Sequence, residues 1–222
     1  MFILSSSQQM EDIISEYGKN RDFYEGLKKR VEASVQGRCC HHSVVCLNIL
    51  VELFNIRTYL EIGVHNGTSM NYVVAQLKNP VRCIGVDLFE NGISRYAHDK
   101  LLKQRTLENI QRLNISQSEI HLIQGNSRDA GTITKVRDIF KTEPVDLLFI
   151  DGDHEFAGVE ADFLNYAPLI VPGGFIVFDD ANSTYPGILK CIEKHVKSNP
   201  NYEILGTFEN TDLIVRRKPN ML

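Results

Sequence analysis

The sequence predicts an α/β fold with a doubly wound, mostly parallel sheet of seven strands, preceded by a helical N-terminal extension. Three observations lead to this prediction. Segments typical of strands and of helices alternate from residue 58 onward. Several strand segments are almost continuously apolar, as in strands that helices cover on both faces. The 222 residues, of which 43% are hydrophobic, contain no repeats or low-complexity linkers and suffice for one sizeable core.

The N-terminal extension, which we bound at residues 1–57, is predicted to be helical over residues 8–56. Apolar side chains recur there at the 3.6-residue period of a helix. Two such stripes are present, Met10, Ile13, Ile14 and Tyr17 in the first and Val44, Val45, Asn48, Ile49 and Leu53 in the second. Two roles are open for this extension: it could cap the sheet, or it could pair two subunits of a homo-oligomer.

The second predicted unit, residues 58–222, divides into strands and helices. The predicted strands cover residues 58–63, 81–87, 119–125, 145–151, 175–180, 202–208 and 212–217. The first predicted helix of this unit begins near Thr68 or Ser69. Further helices are predicted for residues 101–113, 129–140 and 156–166, and the last one contains Ile188 and Cys191. Pro172-Gly173-Gly174 is expected to break the chain before the fifth strand. Turn residues 209–211 predict that the last two strands form an antiparallel hairpin.

Charge and composition argue against several classes of partner. The net charge of −4 gives no electrostatic reason to expect a nucleic acid or an anionic membrane as partner. The N-terminal MFIL turns polar at once, and no apolar stretch reaches the ~18 residues of a membrane span. Five cysteines, an odd number without framework spacing, fit a reducing compartment. We therefore expect a cytoplasmic protein.

Cys39-Cys40-His41-His42 is the one sequence that resembles a zinc motif. Adjacent residues on a helix point in different directions, and no second CxxC or HxxxH half is present in the sequence. We interpret the tetrad as part of a helix with one buried face rather than as a zinc site.

Carboxylates are bunched where two apolar strands end. Asp151 and Asp153, followed by His154, come after the fourth predicted strand, and Asp179 and Asp180 end the fifth. If these strands are neighbours, their ends lie only ~4.8 Å apart. Carboxylates that close repel each other unless they share a cation, so the pattern favours a hard divalent metal. The alternative is that Asp-Gly forms a turn and that an aspartate caps a helix.

The first strand–loop–helix unit has the features of a ligand-binding loop. Gly63 and Gly67 lie between a strand and a helix start, where glycine permits a tight turn and the helix offers free N–H groups. Asp87, at the end of the second strand, could accept hydrogen bonds from ribose hydroxyls. The spacing lacks the third glycine of a dinucleotide loop. Glu61 disfavours a pyrophosphate and favours a cationic ligand. The alternative is a tight turn that binds nothing.

In order and spacing, these motifs resemble those of the class I S-adenosylmethionine-dependent methyltransferases, which have a Rossmann-like sheet with an antiparallel last strand. The motifs are Glu61-x-Gly63-x-x-x-Gly67, Asp87, Gly125-Asn126-Ser127 and the acids that end the fourth and fifth strands. The resemblance covers residues 58–217. The IDGDH and FDD pair resembles the metal-dependent O-methyltransferases of catechol type, and still more those that methylate sugar hydroxyls on macrolides and aminocoumarins.

The resemblance implies a set of site residues. S-adenosylmethionine would be bound by Glu61, Gly63, Asn66, Gly67, Asp87, Asn126, Ser127 and Asp151. Mg²⁺, or another divalent cation, would be held by Asp151, Asp179 and Asp180. Relatives use the position of either Asp153 or His154 as general base. We prefer His154, because a histidine with pKa near ~6.5 accepts a proton at neutral pH, whereas an aspartate with pKa near ~3.9 needs help from a metal or from a raised pKa.

The predicted function is that of an S-adenosylmethionine- and Mg²⁺-dependent O-methyltransferase acting on a small molecule. The chain contains no tryptophan, and we see no aromatic wall that would clamp a flat catechol ring. We therefore expect a sugar or another vicinal diol as substrate. Residues 91–98 are a segment that could reach over the pocket. Two other functions are open: a non-catalytic binding or assembly protein on the same fold, and an NAD-dependent oxidoreductase, which the missing glycine and the acid cluster disfavour.

Overall fold

The computed structural model describes residues 7–35, 44–75, 78–89, 102–141 and 143–219. Its strands are β1 Thr58–Ile62, β2 Arg82–Asp87, β3 Glu119–Gln124, β4 Val145–Ile150, β5 Ile170–Phe178, β6 Tyr202–Phe208 and β7 Asp212–Arg217. Its α-helices are α1 Gln8–Lys19, α2 Arg21–Ser34, α3 Val45–Phe54, α4 Thr68–Val74, α5 Leu102–Leu113, α6 Ala130–Ile139, α7 Phe156–Tyr166 and α8 Pro186–Ile192. A π-helical turn, Glu193–Lys197, continues α8.

The strands form one seven-stranded sheet in the order β3-β2-β1-β4-β5-β7-β6. Strands β1 to β5 are parallel, and β7 runs antiparallel to both β5 and β6. The predicted doubly wound sheet with an antiparallel C-terminal hairpin is confirmed. The order reverses between β1 and β4, and the crevice outside the carboxyl ends at such a switch point is where ligands bind in this architecture.

Helices cover both faces of the sheet and build two cores. Strand β1 is buried along its whole length, because alternate side chains such as Tyr59 and Leu60 enter opposite cores. The core around Tyr59 contains side chains of α1 to α5, and the core around Leu60 contains those of α6 to α8. The central strands therefore lie between two packed layers, and their carboxyl ends are held rigidly.

The N-terminal helices pack on the sheet rather than standing apart from it. Side chains of α1, α2 and α3 belong to the same core as Tyr59 of β1. The Tyr17 hydroxyl donates to Glu209 at 3.3 Å, and Lys28 contacts the same carboxylate at 3.2 Å. These contacts tie α1 and α2 to the turn between β6 and β7. The boundary at residue 57 stays a prediction.

Two expectations for this region were wrong. Ile14 was placed on the inward stripe of α1, yet 54% of its surface is exposed. Leu53 of α3 is 36% exposed. The buried face of α1 is formed by Met10 and Ile13, which lie three residues apart, and Ile14 is turned by ~100° from Ile13 around the helix.

The start of β5 also differs from the prediction. Pro172-Gly173-Gly174 was expected to precede the strand, but β5 begins at Ile170 and runs through these residues. The pairing register with β4 shifts between Val145 and Leu147 to accommodate them. A Cβ at Gly174 would lie 2.8 Å from the Asp146 carbonyl oxygen, so the strands approach too closely there for a larger residue.

Some expectations fall outside the described residues. They concern the tetrad Cys39-Cys40-His41-His42 and the segment 91–98. In the described part of the chain, no helix is long and apolar enough to span a membrane.

Leu27→Ala tests whether the N-terminal helices unfold together with the sheet. Leu27 is fully buried in the core shared with β1, so its truncation is expected to lower the free energy of unfolding by about 2–5 kcal/mol within a single transition. Urea titration followed by far-UV circular dichroism measures this. Ile14→Ala, on an exposed side chain of α1, is the control and should change stability by less than about 0.5 kcal/mol. A second transition, or a sheet transition unaffected by Leu27→Ala, would contradict the shared core.

Candidate functional site

The loop between β1 and α4 approaches the end of β4 so closely that it needs glycine. Gly63 has φ +91° and Gly67 has φ +82°, a region that other residues rarely adopt. A Cβ on Gly63 would overlap the Asp151 carbonyl group. A Cβ on Gly67 would lie 2.7 Å from Ile110 of α5. Glycine is therefore required at both positions, because the backbone has a positive φ and because a Cβ would clash with neighbouring atoms.

Asp87, at the end of β2, holds this loop from one side. Its Oδ2 accepts hydrogen bonds from the N–H groups of Val64 at 2.9 Å and His65 at 2.8 Å. Its Oδ1 accepts one from the Phe89 N–H at 2.7 Å. An ionised carboxylate offers about four acceptor sites, so one remains for a ligand. The predicted ribose-binding acid thus shapes the loop as well.

Helix α5 holds the loop from the other side. The Thr106 hydroxyl donates to the His65 carbonyl at 2.6 Å, and the Asn109 amide donates to the Asn66 carbonyl at 3.0 Å. Both donors are fully buried. Thr106 and Asn109 were not predicted from the sequence, because each is about 40 residues away from its partner and no local pattern marks it.

Glu61 is fully buried beneath this loop. It accepts hydrogen bonds from the hydroxyls of Tyr59, at 2.8 Å, and Ser69. Burial raises the pKa of Glu61 to about 8, and the two hydrogen bonds oppose this rise only in part. A buried acid that is mostly neutral at pH 7 becomes ionised when a cation binds beside it, so Glu61 is suited to a positively charged ligand.

A cavity opens beside the loop at the ends of β1, β4 and β5. It is lined by Val44, Val64, His65, Asn66, Thr68, Ser69, Asp151 and Asp179. The fourth and fifth strands are indeed neighbours, since Ile150 pairs with Phe178 one residue before these two aspartates. The predicted convergence of carboxylates at this edge is therefore present for Asp151 and Asp179.

Asp179 has a partner that the sequence analysis missed. The side chain of Asp212, the first residue of β7, is fully buried and shares a hydrogen bond with Asp179. Burial, and next the charge of Asp179, raises the pKa of Asp212 well above its usual range, so Asp212 keeps a proton to donate. The thiol of Cys46 donates to Asp212 Oδ2 at 3.4 Å.

Asp180, the residue after Asp179, contacts His154. Its backbone adopts φ +51°, and its Oδ2 lies 3.2 Å from His154 Nε2. The hydrogen bond to Asp180 raises the pKa of His154, and burial opposes this. The Tyr185 ring packs against the imidazole with centroids 4.4 Å apart. The carboxylate and the aromatic ring together hold the orientation of His154.

Asp153, the other candidate for a general base, points in another direction. Its Oδ1 accepts a hydrogen bond from the Glu155 N–H at 2.9 Å, at the start of α7. Its Oδ2 lies 3.7 Å from Arg128 Nη1. The two candidate bases therefore have different contacts: His154 contacts Asp180, whereas Asp153 contacts the Arg128 side chain and the start of α7.

The three carboxylates predicted to hold a metal do not all meet. Within the described ranges, no three His, Cys, Asp or Glu side chains are placed to hold a metal ion. Asp151 and Asp179 line one cavity, and Asp179 Oδ1 is buried without a hydrogen-bond partner among those residues. Carboxylate oxygens are the donors that Mg²⁺ prefers, and it often takes only one or two of them. Asp151 and Asp179 therefore fit a hard cation, whereas Asp180 is engaged with His154.

Asn126 and Ser127, which were predicted to contact the cofactor, lie in the turn that connects β3 to α6. Asn126 Oδ1 accepts a hydrogen bond from the Arg128 N–H at 2.9 Å. The Tyr166 hydroxyl of α7 donates to the Ser127 carbonyl at 2.7 Å. Because β2 separates β3 from β1, Ser127, Asp87 and Glu61 follow one another along the sheet edge. An extended ligand across the strand ends would meet them in this order.

Comparison with known proteins agrees with this geometry. A family model described as a methyltransferase domain matches residues 60–181, more than half of the chain. An uncharacterized protein, R132, of Acanthamoeba polyphaga mimivirus is 30% identical over 195 residues, which cover 82% of each chain.

Solved structures share the fold at low sequence identity. The calicheamicin methyltransferase CalS11 has a TM-score of 0.62 at 15% identity, with 96% of this chain and 94% of that one covered. An O-methyltransferase from Bacillus cereus, solved with S-adenosylhomocysteine, has a TM-score of 0.59 at 20% identity, covering 87% and 88%. TomG from Streptomyces achromogenes, solved with S-adenosylmethionine, has a TM-score of 0.57 at 16% identity, covering 79% of each chain. The chain belongs to the methyltransferase-domain family and has the class I, S-adenosylmethionine-dependent methyltransferase fold.

Proposed function

We propose that this chain transfers the methyl group of S-adenosylmethionine to a hydroxyl oxygen of a small molecule. The observation that carries the proposal is the order of polar groups along the sheet edge, with Ser127 beyond β3, Asp87 at the end of β2 and Glu61 under the loop after β1. S-adenosylmethionine has an adenine, a ribose and a cationic amino-acid end in the same order. Membership of the methyltransferase family supports this assignment.

Each part of the cofactor would meet a group suited to it. Glu61, ionised when a cation is near, would face the cationic methionine end. Gly63 and Gly67 would let the backbone approach the ligand, with Asn66 between them on the cavity wall. Asp87 would accept from one ribose hydroxyl through its remaining acceptor site, and Asp151 would line the cavity. Asn126 and Ser127 would flank the adenine.

The transfer needs alignment and one proton acceptor. The methyl group of a sulfonium is already electrophilic, so an O–CH₃ bond forms as the S–CH₃ bond breaks and S-adenosylhomocysteine leaves. The hydroxyl proton must go to a base, and we assign His154 to this role. Asp180 at 3.2 Å from Nε2 favours the tautomer with the proton on Nε2, which leaves Nδ1 to accept. Holding both reactants in line supplies much of the acceleration.

We further propose that the transfer depends on Mg²⁺ held by Asp151 and Asp179. The unpartnered Oδ1 of Asp179 and the shared cavity support this pair as ligands. Asp180 is the third predicted ligand. Its carboxylate contacts His154, so metal binding by Asp180 stays a prediction. When bound, Mg²⁺ would orient the substrate and stabilise the developing alkoxide.

A sugar hydroxyl, or another vicinal diol, is the proposed acceptor. The sequence contains no tryptophan that could stack on a flat aromatic substrate. One structural neighbour, CalS11, is described as a TDP-rhamnose 3′-O-methyltransferase, and the alignment covers 96% of this chain. TDP-rhamnose is therefore the first acceptor to test, with catechol as the flat aromatic comparison. The match to a methyltransferase family model argues against an NAD-dependent oxidoreductase.

Binding of S-adenosylmethionine at pH 7 is expected to release close to one proton. With a pKa of about 8, Glu61 is protonated in about nine-tenths of the free molecules at pH 7, and the cationic ligand favours the carboxylate. Affinity should therefore rise with pH up to about 8 and then level off. Calorimetry in two buffers with different ionisation enthalpies measures the release.

Glu61→Gln is expected to abolish this proton release and to weaken binding of S-adenosylmethionine by at least about tenfold. Glu108→Gln, on the exposed surface of α5, is the matched control and should leave both unchanged. Binding by the unaltered chain without proton release would rule out Glu61 as the group that meets the cation. No binding at all would contradict the proposed function.

His154→Gln and Asp153→Asn separate the two candidate bases, because each removes a proton acceptor with little change of size. His154→Gln is expected to lower kcat for the acceptor about 10²- to 10⁴-fold while the affinity for S-adenosylhomocysteine stays unchanged. Asp153→Asn should lower kcat much less. The reverse order of effects would assign the base to Asp153 and refute our choice.

Chelation tests the metal proposal independently of the cofactor. EDTA treatment is expected to abolish methyl transfer while S-adenosylhomocysteine still binds. Mg²⁺ alone should raise the melting temperature of the unaltered chain but not of Asp179→Asn. If Asp180→Asn also loses the Mg²⁺ shift, Asp180 is a ligand as well. Full transfer after chelation would exclude a metal requirement.

A further inference from the structure

Glu209 occupies an unfavourable position in the turn between β6 and β7. The Thr211 N–H donates to the Phe208 carbonyl at 3.1 Å and closes this turn over its two central residues. Both of them have positive φ, +46° at Glu209 and +64° at Asn210. Hairpin turns with this backbone favour glycine, asparagine and aspartate, whereas a glutamate at positive φ is uncommon. A residue kept at a strained position points to a function of its side chain.

The side chain of Glu209 contacts both of the first two helices. Its carboxylate lies 3.2 Å from Lys28 Nζ of α2, and the Tyr17 hydroxyl of α1 donates to it at 3.3 Å. Glu25 lies 3.2 Å from the same hydroxyl and 3.6 Å from the same ammonium. The Lys28 side chain is only 19% exposed, so its ion pair with Glu209 is screened less than an ordinary surface pair. The preceding residue, Phe208, is buried and packs edge-on against the Tyr17 ring, with centroids 5.3 Å apart.

The other end of this turn holds the loop that carries Asp180. The Thr211 carbonyl accepts a hydrogen bond from the Ala181 N–H at 2.8 Å. Ala181 directly follows Asp180, whose backbone has φ +51° and whose carboxylate lies 3.2 Å from His154 Nε2. Because a side chain follows its backbone, the position of the Asp180 carboxylate depends on the position of the turn. A continuous series of contacts therefore leads from α1 and α2 through Glu209 to the proposed base.

We propose that Glu209 is a positioning residue, which fixes the turn between β6 and β7 on α1 and α2 and thereby holds Asp180 and His154 in the orientation for proton transfer. This inference rests on the proposed function, in which His154 accepts the hydroxyl proton. It gives α1 and α2 a part in catalysis, although none of their described residues lines the cavity. Small displacements of a proton acceptor lower the rate of transfer, so a contact outside the cavity can affect kcat.

Glu209→Gly separates the side chain of Glu209 from the shape of the turn. Glycine adopts positive φ freely, so the turn should persist while its polar contacts with α1 and α2 are lost. We expect kcat for methyl transfer to TDP-rhamnose to fall about tenfold, while the affinity for S-adenosylhomocysteine and the far-UV circular dichroism spectrum stay unchanged. Asn210→Gly is the matched control, because Asn210 is exposed and is likewise at positive φ. It should leave kcat unchanged.

Lys28→Met and Lys28→Arg test the ion pair from the other side. Lys28→Met keeps much of the length of the side chain but not its charge, and it should lower kcat as Glu209→Gly does. Lys28→Arg keeps the charge and should retain most of kcat. The double variant Glu209→Gly/Lys28→Met should be no slower than the slower single variant, because both substitutions remove the same contact.

The imidazole of His154 provides a measurement that does not depend on the acceptor. Asp180 beside Nε2 favours the tautomer with the proton on that nitrogen, and the nitrogen NMR shifts of the ring distinguish the two tautomers. At a pH where the imidazole is neutral, the unaltered chain and Asn210→Gly are expected to show the Nε2–H form. Glu209→Gly and Lys28→Met are expected to show a mixture of both forms.

The outcomes separate the role of Glu209 from the proposed function. A folded Glu209→Gly that keeps the full kcat and the unaltered tautomer would overturn the role of Glu209 and leave the proposed function intact. An equal loss of kcat in Asn210→Gly would assign the effect to the backbone of the turn and would also overturn that role. Failure of the unaltered chain to bind S-adenosylhomocysteine would contradict the proposed function, and the comparison of tautomers would still decide whether Glu209 positions His154.

Discussion

The contact between Gly63 and the Asp151 backbone is the constraint on which the rest of the site depends. It exists because β1 and β4 pair in parallel at the switch point of the sheet, with Ile62 opposite Ile150. The loop after β1 must then pass directly against the end of β4, and only glycine leaves room. The same strand pairing places the buried Glu61 in β1 beneath the loop and Asp151 beside the loop, on the wall of the cavity.

Burial of acids is the second feature of this edge, and its electrostatic effect is unfavourable until a ligand arrives. Glu61, Asp162 and Asp212 are all 0–1% exposed, and burial raises the pKa of each. Burial of an acid costs free energy unless the acid is neutralised or makes good hydrogen bonds or ion pairs. Two hydroxyls donate to Glu61 and a thiol donates to Asp212, which compensates in part for the burial of these two acids. Buried acids of this kind favour a cationic ligand over a neutral one, because a nearby cation stabilises their ionised form.

The sequence was sufficient for the features that arise from local patterns. The alternation of strand-like and helix-like segments predicted the mostly parallel sheet. The glycines and the acids at the strand ends predicted which edge of the sheet carries the site. Residues distant in sequence were not predicted: Thr106, Asn109 and Asp212 each contact the site from another element. The limits of β5 were wrong because a register shift absorbs Pro172 and two glycines, and sheet pairing, rather than local preference, decides that.

Asp179 and Asp180 are neighbours in sequence but have different contacts, because the backbone directs their side chains apart. Asp179 directly follows β5, and its N–H still bonds to the Ile150 carbonyl, while its buried side chain contacts Asp212. Asp180 adopts φ +51°, and its carboxylate contacts His154. The Asp180 carboxylate, which contacts an imidazole, has fewer free lone pairs for a cation. The Asp179 carboxylate, which contacts Asp212, keeps its Oδ1 without a hydrogen-bond partner among the described residues. Identical side chains next to each other in sequence thus acquire different chemistry, and the strand-to-loop transition between them is the physical reason.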